Sequence, residues 1–196
     1  MKKDIILAGV GGQGILTIAT IIGTAALSEG LQLKQAEVHG MSQRGGDVQS
    51  HLRLSSSMIA SDLIPEGKAD MIISVEPMES LRYVNMLNRE SGWLATSINP
   101  FNNMANYPDL EDILSDIWKL PNYVTLDANR IAKDLGSVRA ANIVVLGAAS
   151  PYLDIKYKSL EKAIDTIFGR KGEDMVKLNL KALKAGRDYA EKHSRN

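Results

Sequence analysis

The sequence predicts an α/β protein with a three-layer, Rossmann-like sheet that is mostly parallel, has one antiparallel return strand and carries helices on both faces. Three observations predict this. The glycine turn GVGGQGI at residues 9–15 joins a short apolar run to a long apolar stretch. Further short apolar runs alternate with segments of helical periodicity. Finally, 44% of the 196 residues are hydrophobic, enough to bury a core.

The elements follow in order. Residues 4–9 read as a buried strand, and Ile15 to Glu29 as a helix with Ile15, Ile18, Ala19, Ile22, Ala25 and Ala26 at helical spacing, ended by Gly30. Leu31 to His39 is a second strand, which gives a β-turn-α-β unit with Gly-x-Gly-x-x-Gly formed by Gly9, Gly11 and Gly14. Only Gly40 to Asp47 then separate this strand from Val48 to Leu54, too few residues for a parallel crossover. Val48, Ser50, Leu52 and Leu54 alternate with Gln49, His51 and Arg53, the pattern of an antiparallel return strand with a polar second face.

Ala69 to Val75 is the next strand, and Pro77 at a first helical position opens a helix to about Asn88 with Met78, Leu81, Val84 and Leu87 on one face. Trp93 to Ile98 follows as a strand. Beyond the asparagine-rich loop FNNMANY, Asp109 caps a short helix with Glu111 and Asp112 in its first turn. Tyr123 to Leu126 is the last strand. Asp127 caps Ala128 to Leu135, Gly136 stops it, and Ser137 begins an almost wholly apolar helix through Ala149 that ends at Ser150-Pro151 and is expected to be buried. Amphipathic helices at 159–168 and 173 to about 192 close the chain, read here as a single domain over 1–196.

Composition excludes several functions. With 23 acidic and 23 basic residues the net charge is zero, and no overall field suits nucleic acid. The N-terminal apolar run is too short for a signal peptide or a membrane span, so a cytoplasmic chain is expected. There is no cysteine, which removes iron–sulfur ligation, thiol nucleophiles and disulfides. His39, His51 and His193 show no metal-ligand spacing.

The glycine turn carries two readings. Free backbone N–H groups and the positive end of the helix dipole suit a pyrophosphate, with Gly11 and Gly12 letting a ligand approach and Gly14 letting the helix pack onto the strand. Equally, the glycines make a tight strand-to-helix turn and nothing more. Glu37 falls near the place of a ribose-binding acid, but the missing crossover helix argues against a dinucleotide fold, and a solvated or ion-paired strand residue is the better reading. In the second motif, residues 39–46, Gly40, Gly45 and Gly46 keep side chains clear while Ser42, Gln43 and Arg44 offer donors to a carboxylate, phosphate or partner acid. His39 reads as a loop-orienting or core histidine, and Asn142 as a polar residue among apolar neighbours that bonds a loop backbone.

GVGGQGILT at 9–17 and AEVHGMSQRGGDVQSHLRL at 36–54, in this order and separation, together with ANIVVLGA at 141–148 and the closing helices, resemble the gamma domain of 2-oxoacid:ferredoxin oxidoreductases, most closely the small subunits of the indolepyruvate branch. The resemblance implies an enzyme subunit. In that family a 2-oxoacid is oxidatively decarboxylated with thiamine diphosphate, the acyl group passes to coenzyme A, and electrons reach ferredoxin through iron–sulfur clusters. This sequence has no cysteine and no Gly-Asp-Gly with a downstream Asn, so the resemblance implies that thiamine diphosphate, magnesium and the clusters sit on a larger catalytic partner and that no catalytic residue lies here. The residues expected at a cofactor or interface are Gly9, Gly11, Gly12, Gln13, Gly14, Ser42, Gln43, Arg44, Gly45 and Gly46: either a cradle for a shared coenzyme A diphosphate, with Arg44 as a second charge, or a docking surface for the large subunit. The alternatives are a free-standing nucleotide-binding module or NAD(P)-dependent oxidoreductase, and a scaffold with no ligand.

Overall fold

The computed structural model describes residues 1–39, 46–102 and 106–194, the His39 side chain excepted. Its centre is β1 (Lys2–Val10), whose residues from Asp4 onward are buried. On one side β1 pairs over its whole length with antiparallel β3 (Asp47–Ser55), which in turn pairs with antiparallel β2 (Gln32–His39). On the other side lie β4 (Met71–Ser74), β5 (Trp93–Ser97) and β6 (Tyr123–Leu126), all parallel to β1. The sheet order is β2-β3-β1-β4-β5-β6. The antiparallel return strand is therefore present, and it is inserted between β1 and β2.

Each face of the sheet buries its own core. Against one face pack α1 (Ile15–Ser28), α4 (Ala128–Asp134), α5 (Ala141–Ala149), α6 (Tyr157–Phe168) and α7 (Glu173–His193). Against the other pack α2 (Pro77–Arg82) and α3 (Leu110–Ile117). Local sequence sets the helix starts: the Asp109 carboxylate accepts the Glu111 N–H and the Asp127 carboxylate accepts the Arg130 N–H.

Three expectations are adjusted. First, α2 ends at Arg82, and a 3₁₀ turn at Val84–Met86 replaces its predicted continuation. Leu87 forms a parallel bridge with Ala69, and Asn88 N–H donates to Ala69 O (2.8 Å), so sheet pairing draws this segment out of the helix. Second, the apolar helix expected from Ser137 begins as a 3₁₀ turn at Val138–Ala140 before α5 proper. Third, the polar second face of β3 is covered. The buried Asp4 carboxylate accepts two bonds from Arg53 (Nε 2.8 Å and Nη2 3.0 Å), and Arg53 Nη1 donates to the carbonyls of Ser61 and Leu63. These bonds hold the β3–β4 connection down on the polar face and satisfy charges that burial would otherwise penalise. His51, 6% exposed, joins them: Ile64 N–H donates to its Nδ1 (3.0 Å).

α5, apolar apart from Asn142 in its first turn, lies between the sheet and α7. Its crossing with α7 is a backbone contact. A Cβ on Gly186 would lie 1.9 Å from Val144 O, and one on Gly147 would lie 2.1 Å from Leu183 O. Only hydrogens fit there, and the obstructing atoms are main chain, which cannot rotate away. Gly186→Ala is expected to cost about 2 kcal/mol or more, read as a lower urea midpoint.

Accepting the Ile64 N–H requires His51 Nδ1 to be unprotonated. Burial, and then the nearby Arg53 charge, lowers its pKa below the ordinary 6.5, partly opposed by Asp62. Unfolded, the ring takes its proton near pH 6.5. Folded, it resists protonation to lower pH, so in that window the unfolded chain binds more protons. This contribution to stability is complete above pH 6.5, declines as pH falls through that value, and is lost below the folded pKa. Denaturation at pH 7.5 and 5.5 (about one unit either side) should show wild type losing more stability than His51→Asn, which keeps an acceptor but does not titrate.

Candidate functional site

The chain leaves β1 through α1 toward β2 and leaves β4 through α2 toward β5, so the connections diverge at the carboxyl ends of β1 and β4. Open α/β sheets bind ligands at such a switch point. Here it opens into a cavity of about 650 Å³, bounded by the glycine turn and Thr17 of α1, by Ser97 at the end of β5, by Asn129, by Arg139 to Asn142 at the start of α5, and by Phe168, Lys171, Met175 and Asn179 around the start of α7.

The turn is built from its own residues. Gly9 is buried, and a Cβ there would meet Val75 Cγ2 at 2.5 Å and Ile15 Cδ1 at 2.7 Å. Gly11 N–H donates to Gly46 O (2.9 Å), which brings the two sequence motifs together, and Val10 N–H donates to Gln13 Oε1 (2.8 Å), which closes the turn. The close helix–strand approach expected at Gly14 belongs to Gly9. Gly14 instead sits at φ 82°, and a Cβ on it would lie 2.4 Å from Asn142 Nδ2. That amide donates to Gly14 O (3.1 Å), the loop-backbone bond expected for Asn142.

Part of the turn is left open. Gly12, at φ 98°, has nothing within 4 Å of where a Cβ would stand. Gly14 caps α1 without any side-chain bond. Among the described residues no acceptor takes the N–H groups of Gly12, Gly14, Ile15 or Leu16. Donors without a partner at the positive end of a 14-residue helix suit an anion, and two of these residues, Gly12 and Gly14, line the cavity. Two cations reinforce this: Arg139 and Lys171 line the same cavity, are exposed, and form no ion pair among the described residues. The far wall is fixed by Asn99, whose Nδ2 donates to Asp127 (2.9 Å) and whose Oδ1 accepts the Ser97 hydroxyl (2.8 Å) and the Asn129 N–H (2.9 Å).

Ser42, Gln43, Arg44 and Gly45 lie outside the described residues. Gly46 lies against the turn. Glu37 is exposed on β2, and β3 separates it from β1 by two strand spacings, roughly 10 Å. A ribose-binding acid needs β2 beside β1, so the dinucleotide-binding frame is absent. Sequence reading missed Arg139 and Lys171, which follow no motif and reach the cavity only through the packing of α4, α5 and α7. Among the described residues no group of three or more His, Cys, Asp or Glu could hold a metal ion, and no helix is long and apolar enough to cross a membrane.

Gly14→Ala should destabilise by roughly 1 to 3 kcal/mol through both the left-handed φ and the displaced Asn142 amide. In an Asn142→Ala background the same substitution should cost less, a coupling that a double-mutant cycle of urea unfolding measures.

Residues 4–189 match the model of the pyruvate ferredoxin/flavodoxin oxidoreductase family. The chain is similar to indolepyruvate oxidoreductase subunit IorB of Archaeoglobus fulgidus, 39% identical over 97% of this chain and 96% of that one. It is also similar to the gamma subunit of a keto/oxoacid ferredoxin oxidoreductase from Geobacter sulfurreducens (TM-score 0.69, 27% identity, covering 97% and 99%). A third similar structure is a 2-oxoglutarate:ferredoxin oxidoreductase from Magnetococcus marinus, solved with 2-oxoglutarate, coenzyme A and succinyl-CoA (TM-score 0.79, 22% identity). All of this chain is covered there, but only 32% of that longer one.

Proposed function

Since this chain belongs to the pyruvate ferredoxin/flavodoxin oxidoreductase family, as a small subunit of a 2-oxoacid:ferredoxin oxidoreductase, we propose that its switch-point cleft cradles the diphosphate of coenzyme A for an indolepyruvate-type reaction run on the larger subunit. One observation carries the reading: Gly12 and Gly14, whose N–H groups have no partner among the described residues, line a cavity that also holds Arg139 and Lys171, which form no ion pair among those residues. A diphosphate accepts from such donors, and the cations match its remaining charge. Arg44, two positions before Gly46 in the sequence, is proposed as a further charge, with Ser42, Gln43 and Gly45 as further contributors.

The choice of coenzyme A over the other family cofactors rests on chemistry. A chain without cysteine has no thiolates for iron–sulfur clusters, and one without the Gly-Asp-Gly and Asn pattern lacks the magnesium ligands of thiamine diphosphate. Those groups belong on the catalytic subunit, and no step of the redox chemistry runs through these residues. Coenzyme A supplies the thiol that accepts the acyl group. This chain's part is to hold the nucleotide end so that the thiol reaches the partner's site. The identity with the indolepyruvate subunit from Archaeoglobus supports an aryl 2-oxoacid as substrate, and the Magnetococcus relative supports coenzyme A. The reading treats residues 1–196 as one domain and places the complex in the cytoplasm, where it meets ferredoxin.

In the reconstituted complex, Arg139→Glu and Lys171→Glu together should raise the Michaelis constant for coenzyme A at least about tenfold while leaving that for the 2-oxoacid within about twofold. Both side chains are exposed, so these changes avoid the backbone strain that any side chain at Gly12 introduces. An assembled complex with an unaltered response to coenzyme A would make the cleft architecture only.

A further inference from the structure

α1 lies on the surface yet carries no charged residue in its 14-residue sequence ILTIATIIGTAALS. Its inner face is buried against the sheet. Its outer face presents Leu16 at 49% exposure, Thr20, and Leu27 at 58%. Positions 16, 20 and 27 share one side of a helix and run from its first turn to its last, a stripe of about 16 Å. A solvated helix of this length ordinarily presents charges there, whereas depletion of charge marks the centre of a protein interface.

The neighbouring element also lacks a partner on one edge among the described residues, although it carries the exposed charges Lys34 and Glu37. β2, against which α1 packs, is the terminal strand of the sheet and eight residues long. Its outer edge has no strand partner among the described residues, and most of its described side chains are exposed. A free edge of this length is a template for pairing, and proteins ordinarily cover it. The uncharged helix face and the open strand edge thus form one rim of the molecule.

We propose that this rim, formed by the outer face of α1 and the edge of β2, is where the larger catalytic subunit docks. The proposal rests on the subunit reading above. Three observations favour that occupant over a second copy of this chain. The stripe begins at Leu16, next in sequence to the cavity-lining Thr17, so whatever covers it meets the cleft mouth, to which the proposed function brings the partner's chemistry. The same fold forms 32% of a longer chain in the Magnetococcus oxidoreductase, where further polypeptide is covalently attached to it. And pairing two β2 edges about a two-fold axis normal to the sheet joins residues of the same parity. Centred on Gln35 it sets Leu33 against Glu37, and centred on Ala36 it sets Lys34 against Val38, so neither register matches the edge to itself.

The test uses Thr20→Lys with Leu27→Lys, both exposed, both compatible with a helix, and neither part of the cleft. The double variant should melt within about 2 °C of wild type. Titrated against the larger subunit produced from the same genome, it should bind at least about tenfold more weakly, while the coenzyme A constant of whatever complex forms stays unchanged. Wild-type affinity for the larger subunit would overturn the proposal. So would light scattering that shows the isolated wild-type chain as a dimer and the variant as a monomer, because that assigns the rim to a second copy. Should the double variant unfold, Leu27→Gln alone is read by the same criteria. A failure of the coenzyme A reading would appear as an altered Michaelis constant with assembly intact, which this measurement separates from a docking defect.

Discussion

The nine-residue antiparallel pairing of β1 with β3 is the constraint from which the rest of the molecule follows. It occupies the side of β1 where a dinucleotide-binding sheet would place β2. It sends α1 across to a strand two places away, and it leaves the carboxyl ends of β1 and β4 as the point where connections diverge. It also sets a cost. Every second residue of β3 is polar, so pairing β3 against the centre of the sheet puts Arg53 opposite Asp4 and His51 opposite Ile6, and the chain must find partners for them. The β3–β4 connection supplies these with the carbonyls of Ser61 and Leu63 and the N–H of Ile64.

The second requirement of the cleft is close approach between helices. α5 carries Asn142 to the glycine turn, and α7 carries Asn179 and Met175 to the cavity wall. They share those positions because Gly147 and Gly186 let their backbones cross without side chains between them. A cleft wall formed by two helices in main-chain contact has little freedom to spread. Asn142, Met175 and Asn179 are therefore held at fixed separations around the cavity, which gives its wall a fixed shape.

Much of this was legible in the sequence wherever the governing interaction is local. The glycine turn, the run of α1, the acidic caps at Asp109 and Asp127, and the antiparallel return of β3 each follow from spacings within a dozen residues or so. The early end of α2 was not legible, because helical periodicity continues through Leu87 while the sheet draws Leu87 and Asn88 toward Ala69. The cleft was half legible. Its glycines announce themselves and Asn142 stands out among apolar neighbours, but Arg139 and Lys171 carry no local signal. They become candidates only when packing places them around one cavity. Residues 40–45, the most distinctive stretch in the sequence, lie outside the described structure.

The bond from Asn142 Nδ2 to Gly14 O spans 128 positions of chain. During synthesis, β1, the turn and α1 leave the ribosome long before α5, and until α5 arrives the carbonyl that starts α1 has only water for its side-chain partner. Contacts so distant in sequence form late, because the loop they close must be ordered first. The glycine turn therefore reaches its final shape only after α5 has been made. A ribosome-bound or truncated fragment can hold the complete glycine motif and still lack a working cleft.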